Sequence, residues 1–187
     1  MGCDIHTVVE IKKENTWLGL EECPKEFCER NYSLFAFLAN VRNMFNTKGF
    51  EPKGFPDDIS EKAKEKFKDD IDLHSKTYLT LKELDDADKK DAFAHKYLID
   101  GDFWEKFKEL GGQLPDGMEV EEDFKTDSII DAIRLVMCPG VIIKWQLSEE
   151  EIKKHDLYKG IEVLKKIAKQ NNIENFEDIR IVFCFDS

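Results

Sequence analysis

Two short segments place an aspartate and a histidine two residues apart: Asp4 with His6, and Asp72 with His74. Each pair opens a stretch of alternating residues that is typical of a β-strand. Residues i and i+2 share one face of a strand, so each aspartate is expected beside its histidine. Together, a carboxylate and an imidazole can bind a divalent metal or orient each other for proton transfer.

If the two strands meet, Asp4, His6, Asp72 and His74 form a predicted site for zinc, manganese or iron. This divalent metal is the one cofactor that the pattern suggests, and it would serve a metal-dependent hydrolase. Asp-x-His also arises by chance, and the alternative is a strand edge with a hydrogen-bonded histidine. Ser75 is expected to face away from His74, which argues against a serine nucleophile.

Arginine is scarce, since only four of the 28 basic residues are arginines: Arg30, Arg42, Arg134 and Arg180. The first two flank the most apolar predicted helix, and the last lies inside the final predicted strand. A partly buried arginine needs a carboxylate, carbonyl or phosphate partner. The arginines are therefore expected either to clamp a bound anion or to form structural ion pairs. The candidate carboxylate partners are Asp4, Glu10 and Asp186.

Glu10 shares the polar face of the first predicted strand with Asp4 and His6. It has no counterpart in the segment that carries Asp72 and His74. We therefore expect Glu10 to face water.

Blocks with a shared pattern occur along much of the chain, at residues 1–6 (Met-Gly-Cys-Asp-Ile-His), 30–35, 38–43, 54–60, 72–75, 78–80 and 180–186. They resemble a family of short, uncharacterised proteins that are frequent in phage and prophage genomes. Members of that family often carry glycine at the position of Asn40 and an aromatic residue at Cys184, and the region 85–178 is poorly covered. The resemblance implies a phage-linked setting and no particular activity. Because the two Asp-x-His pairs and three of the four arginines fall within the shared blocks, the resemblance favours a pocket that they form together.

The preferred functional prediction is a pocket that binds a small anionic, nucleotide-like ligand, by analogy with phage proteins that sequester host nucleotides. The predicted ligand-binding residues are Asp4, His6, Arg30, Tyr32, Arg42, His74, Ser75 and Arg180. Two alternatives stay open. One is the metal-dependent hydrolase, with Arg180 steadying a phosphate, and the other is an acidic inhibitor of a host protein.

The charge of the 187-residue chain limits its partners. The net charge is −12, and 28 basic residues are interspersed among 40 acidic ones. A broad grip on nucleic-acid phosphates or on an anionic membrane requires a basic face. The composition therefore argues against broad nucleic-acid binding and against membrane binding.

The cysteines indicate a reducing compartment. Their number is five, which is odd, and the chain is too long to need a disulfide framework. Cys23 and Cys28 lack a second pair for zinc and are predicted to be ordinary thiols. No signal peptide or membrane-spanning stretch is apparent, so we expect a cytoplasmic protein.

Hydropathy patterns predict a single α+β domain over residues 1–187, with a small mixed or antiparallel sheet that includes both terminal strands and is packed with several helices. Strands are predicted at 4–12, near 17, at 72–80, at 141–145 and at 179–185. Helices are predicted at 31–45, 58–70, from 81, at 102–110, at 129–137, after Ser148 and at 158–171. Capping boxes at Thr80 with Glu83 and at Ser148 with Glu151 fix two of the helix starts.

Overall fold

A computed structural model of the chain describes residues 2–68, 72–121 and 140–186. Within these ranges, the chain forms seven strands and six α-helices. The strands make two antiparallel sheets, one of which contains the first and last strands. The predicted α+β fold is therefore confirmed. The helix predicted at 129–137 lies outside the described residues.

The strands are β1 (Ile5–Lys13), β2 (Thr16–Gly19), β3 (His74–Thr80), β4 (Ala94–Asp100), β5 (Met118–Val120), β6 (Gly140–Gln146) and β7 (Ile179–Phe185). The first sheet has the order β2-β1-β7-β3, and the second has the order β4-β6-β5. In the first sheet, β1 and β7 pair from Ile5 opposite Phe185 to Ile11 opposite Ile179. Every residue of β7 is buried, because both faces of this central strand are covered.

The helices are α1 (Tyr32–Ala39), α2 (Glu61–Lys66), α3 (Leu81–Asp86), α4 (Gly101–Glu109), α5 (Glu149–Lys154) and α6 (Asp156–Gln170). Both predicted capping boxes are present. The prediction of helix to residue 45 is wrong: α1 ends at Ala39, because Asn40 adopts a left-handed conformation with φ of 54°. The helix predicted to start after Asp102 is instead capped by Asp100.

The principal core lies between one face of the first sheet and helices α1, α3 and α6. Phe35 of α1 packs edge-on against Phe185 of β7, with ring centroids 4.9 Å apart. Each fully buried phenylalanine contributes about 1.5–3 kcal/mol of hydrophobic free energy. A smaller apolar cluster, which includes Val8 and Val182, covers the opposite face beneath α2.

That opposite face also buries an ion pair between the two central strands. Glu10 is fully buried and Arg180 is 3% exposed, and the two residues are register partners. Arg180 Nε donates a hydrogen bond of 2.7 Å to Glu10 Oε2. The expectation that Glu10 faces water is therefore wrong. Of the two alternatives for the arginines, Arg180 forms the structural ion pair, with Glu10 as its carboxylate.

The remaining polar atoms of this pair are satisfied by the segment before α2. Arg180 Nη1 donates to Asp58 Oδ1 at 3.0 Å, and Nη2 donates to the Asp58 carbonyl at 3.2 Å. The Ser60 amide donates to Glu10 Oε1 at 2.7 Å. Trp17 of β2 lies over the guanidinium at 3.8 Å, and its indole N–H donates to Asp58 at 3.0 Å. We call these five residues the Arg180 network.

Arg180→Met is expected to destabilise the fold by about 3–5 kcal/mol, because it leaves the Glu10 carboxylate buried without its cation. Urea unfolding followed by tryptophan fluorescence measures this loss. The matched control is Arg30→Met, which breaks a pair with Asp4 whose side chains are 49% and 52% exposed. Solvent screens that pair, so its loss should be several-fold smaller. Equal losses in the two variants would contradict a structural role for the buried network.

Candidate functional site

Ionisable side chains gather where β1 begins and β7 ends. We call this group the sheet-end cluster: Asp4, His6, Arg30, Arg42 and Asp186. Arg30 Nε and Nη2 donate to the two carboxylate oxygens of Asp4, each at 2.8 Å. Asp186 accepts from the Asp4 amide at 2.9 Å and lies 3.0 Å from His6 Nε2. Four of the predicted ligand-binding residues therefore lie in one region.

Strand register places the sheet-end cluster. Ile5 is opposite Phe185 in the last pair of the ladder, so Asp4 and Asp186, each one position further out, meet at its end. The hydrogen bonds from Arg30 lower the pKa of Asp4, and the hydrogen bond with His6 lowers the pKa of Asp186. The Arg30 guanidinium packs against the backbone of Gly2. A Cβ atom at position 2 would lie only 2.6 Å from Arg30 Nη1, so the absence of a side chain there allows this contact.

Arg42 enters the cluster from the loop after α1. Its backbone has φ of 53°, an unusual conformation for a residue with a side chain. The side chain is exposed and has no carboxylate partner among the described residues. Burial raises the pKa of the neighbouring Cys3 thiol, and a hydrogen bond and the positive charge from Arg42 only partly offset this. Cys3 is therefore poorly suited to act as a nucleophile.

A β-bulge in β3 separates the two histidines. His74 pairs with Phe185 and Thr77 pairs with Phe183, so β3 has one extra residue between them. His74 therefore shares the face of Phe185, with ring centroids 6.1 Å apart, whereas His6 lies on the face of Cys184. The bulge reverses the side on which the simple alternation of residues 72–80 would place His74.

The four predicted metal ligands consequently do not form a cluster. Within residues 2–68, 72–121 and 140–186, no group of three or more His, Cys, Asp or Glu is arranged to hold a metal. Asp72 is exposed, and His74 Nδ1 lies 3.0 Å from Ser75 Oγ. The expectation that Ser75 faces away from His74 is therefore also wrong. Ser75 has φ of 50°, as a bulge residue can.

The other two predicted ligand-binding residues are Arg180 and Tyr32. Arg180 lies four positions along β7 from Cys184, which corresponds to about 13 Å of strand. Its guanidinium is already held by Glu10 and Asp58, so it does not complete the sheet-end cluster. Tyr32 is 41% exposed at the start of α1, where it packs edge-on against Phe35.

A cavity that the sequence did not predict opens between α1, the loop that follows it and the second sheet. We call it the Asp91 cleft, and its volume is about 620 Å³. It is lined by Phe37, Lys48, Gly49, Phe50, Ala87, Asp88, Lys90, Asp91, Glu119, Lys144 and Gln146. A neighbouring cavity of about 300 Å³ also borders Asp91. The eight predicted ligand-binding residues line neither cavity.

Asp91 anchors the base of the cleft. It accepts from Lys144 Nζ at 2.8 Å and from the Lys48 amide at 3.2 Å. Lys96 Nζ lies 3.9 Å away, on a side chain that is 3% exposed. Burial raises the pKa of Asp91, but these hydrogen bonds and positive charges outweigh it and leave that pKa below its ordinary value. Asp91 is therefore an anion that two lysines hold in place.

Lys96 is the buried residue of β4 and explains why sequence patterns missed this strand. Its ammonium donates to the Phe45 carbonyl at 3.0 Å and to Glu121 Oε1 at 3.1 Å. Tyr97 and Leu98, by contrast, are 55% and 42% exposed. A buried lysine beside exposed apolar residues breaks the alternation by which a strand is recognised.

The mouth of the cleft combines charged and apolar groups. Lys48 and Lys90 are exposed and have no ion pair among the described residues. Phe50 forms an apolar wall, and its amide donates to the Phe37 carbonyl at 2.8 Å. Gly49 allows this close approach, since a Cβ there would lie 2.1 Å from the same carbonyl oxygen.

Comparison with family models, with curated proteins and with solved structures finds no match to this chain. The resemblance to phage and prophage proteins therefore stays a prediction from the sequence. Among the described residues, no helix has both the length and the apolar character needed to cross a membrane.

Asp91→Asn is expected to cost about 3 kcal/mol of stability near pH 6, because Lys144 loses its carboxylate partner and Lys96 is left with Glu121. The folded pKa of Asp91 lies below the ordinary 3.8, so its contribution is present above that value. It is lost as pH falls through the lower folded pKa. Urea unfolding at pH 6 and near pH 3 should therefore show a difference between wild type and variant that shrinks at low pH.

The control for this pH dependence is Asp86→Asn, at a surface carboxylate that pairs with Lys82 and is 64% exposed. It should give a small difference with little dependence on pH. An Asp91→Asn difference that stays constant between the two pH values would contradict the ionic role of Asp91.

Proposed function

We propose that the protein binds a small anionic, nucleotide-like molecule in the Asp91 cleft. The observation that carries this proposal is a cavity of about 620 Å³ that joins an apolar wall to convergent charged groups. Small-molecule sites are typically cavities of roughly 300–1,000 Å³ with an apolar lining and a few polar groups that fix orientation. The cleft has both properties.

The distribution of charge suits a ligand with an anionic end and a hydrogen-bonding end. Lys48 and Lys90 at the mouth are available to a phosphate or carboxylate, since no described carboxylate pairs with them. Phe50 offers an apolar surface to a flat ring. Asp88 and Glu119 supply acceptors for the N–H groups of a nucleobase. A nucleotide-like molecule uses all three.

Hydrogen bonds within the protein fix the polar groups at the base of the cleft. Asp91 is fixed by Lys144 and by the Lys48 amide, and Lys96 behind it is almost fully buried. A site whose polar groups are already held in place loses less conformational entropy on binding. The same contact fixes the backbone of Lys48, one of the two lysines proposed to contact the anion.

The sheet-end cluster is the less favoured location for the same function. Its Arg30 and Asp4 satisfy each other, and its Asp186 is held by His6 and the Asp4 amide. An anion bound there would have to compete with these carboxylates for Arg30. Arg42 alone is without such a partner among the described residues.

The double variant Lys48→Gln with Lys90→Gln is expected to weaken nucleotide binding about tenfold or more, because two charge-assisted contacts are lost. Thermal shift with nucleoside mono-, di- and triphosphates identifies the ligand, and calorimetry measures its Kd. Saturation at about 100 times Kd should stabilise the wild-type fold by about 2.7 kcal/mol.

The matched control is Lys13→Gln with Lys169→Gln, which changes net charge equally at two exposed lysines that do not line the cleft. It should bind like wild type. No stabilisation by any nucleotide would overturn the proposal. An equal loss of nucleotide affinity in both double variants would mean that overall charge, and not a site in the cleft, is responsible for binding. If Arg42→Gln weakened nucleotide binding and the Lys48→Gln, Lys90→Gln double variant did not, the binding site would instead lie at the sheet-end cluster.

A further inference from the structure

Two thiols meet in the connection between β2 and α1. Cys23 Sγ and Cys28 Sγ are 2.7 Å apart, with no disulfide bond between them. A short 3-10 helix, Lys25–Phe27, turns the chain between them, with the Cys28 amide donating to the Lys25 carbonyl at 2.9 Å. The two sulfurs therefore meet because the backbone folds back on itself.

The fold holds this turn in place. Phe27 is fully buried and packs against Gly160 of α6, where a Cβ would lie 2.6 Å from its ring. The Thr7 hydroxyl of β1 donates to the Phe27 carbonyl. The residue before Cys28 is thus anchored to both the sheet and the longest described helix.

The two thiols have unequal surroundings. Cys28 is exposed, whereas Cys23 is partly buried and packs against the principal core. The hydrogen bond between the sulfurs lowers the pKa of Cys28 and raises the pKa of Cys23. The positive charge of Lys66 also favours the Cys28 thiolate. An accessible thiol with a lowered pKa beside a less accessible thiol is typical of a peroxide-reactive cysteine with its resolving partner.

We propose that Cys23 and Cys28 are a reversible oxidation site that takes up a peroxide as oxidant and closes to an intramolecular disulfide. Cys28 thiolate attacks one peroxide oxygen, the O–O bond breaks, and hydroxide leaves, which gives a sulfenic acid at Cys28. The Cys23 sulfur then attacks the Cys28 sulfur, the S–O bond breaks, and the oxygen departs as water with the Cys23 proton. Two thiols lose two electrons, and the peroxide is reduced.

This inference is independent of ligand binding in the Asp91 cleft. It also changes the prediction that these cysteines are ordinary thiols. Closure needs little movement, because the sulfurs already lie at 2.7 Å. The disulfide would close a six-residue loop around anchored Phe27, and we expect the oxidised form to melt about 4–9 °C higher than the reduced form.

The test treats the folded, reduced wild-type chain with a small excess of hydrogen peroxide. The expected product is a monomer that has lost two hydrogen atoms by intact mass, with a peptide map that joins Cys23 to Cys28. A dithiol reductant should reverse both changes and the shift in melting temperature. In Cys23→Ser, a dimedone-type probe should trap the sulfenic acid at Cys28.

The controls separate this pair from the other cysteines. Cys138→Ser should give the same cross-link, and Cys3 and Cys184, which are buried, should stay unmodified in the folded protein. A cross-link to Cys138, a disulfide between two chains, or alkylatable Cys23 and Cys28 after peroxide would each overturn the proposal. So would equal sulfenic acid trapping at Cys28 in wild type and in Cys23→Ser, since Cys23 would then not resolve it.

Discussion

The buried salt bridge between Glu10 and Arg180 is the constraint on which the rest of the structure depends. Two charges without solvent are tolerated only when their polar atoms have partners. Asp58 and Ser60 supply those partners, while Trp17 covers the guanidinium and donates a hydrogen bond to Asp58. A register slip of one residue between β1 and β7 would send the two charges to opposite faces of the sheet. The salt bridge therefore specifies the register that also places Asp4 beside Asp186 in the sheet-end cluster.

Local patterns in the sequence predicted the elements that obey ordinary rules. The alternation of β1 and β7, the capping boxes before α3 and α5, and the α+β class are all confirmed. The failures occur where one residue departs from the rule. Asn40 ends α1 through a backbone conformation that its neighbours do not signal, and Lys96 points inward from β4 while apolar neighbours face water.

Side-chain convergence was harder to predict than secondary structure. Arg30 and Asp4 were expected near each other and are joined by hydrogen bonds. His74, by contrast, lies on the opposite face of the sheet from His6, because the β3 bulge adds one residue to the strand. The Asp91 cleft joins segments near 48, 90 and 144, and only the tertiary fold brings them together. Its central residue belongs to the run Asp88-Lys89-Lys90-Asp91, which in sequence is indistinguishable from a solvated charged surface.

The central position of β7 has a consequence for how the chain acquires its structure. The two residues of the buried salt bridge are 170 positions apart, and among the described strands β1 pairs with β2 and β7. The two central strands of the first sheet can pair only after a loop of that length closes, and such non-local pairing is slow. During synthesis, the apolar face of β1 therefore emerges long before its partner. Until β7 leaves the ribosome, the edge of β1 that β7 will occupy is open to other pairings.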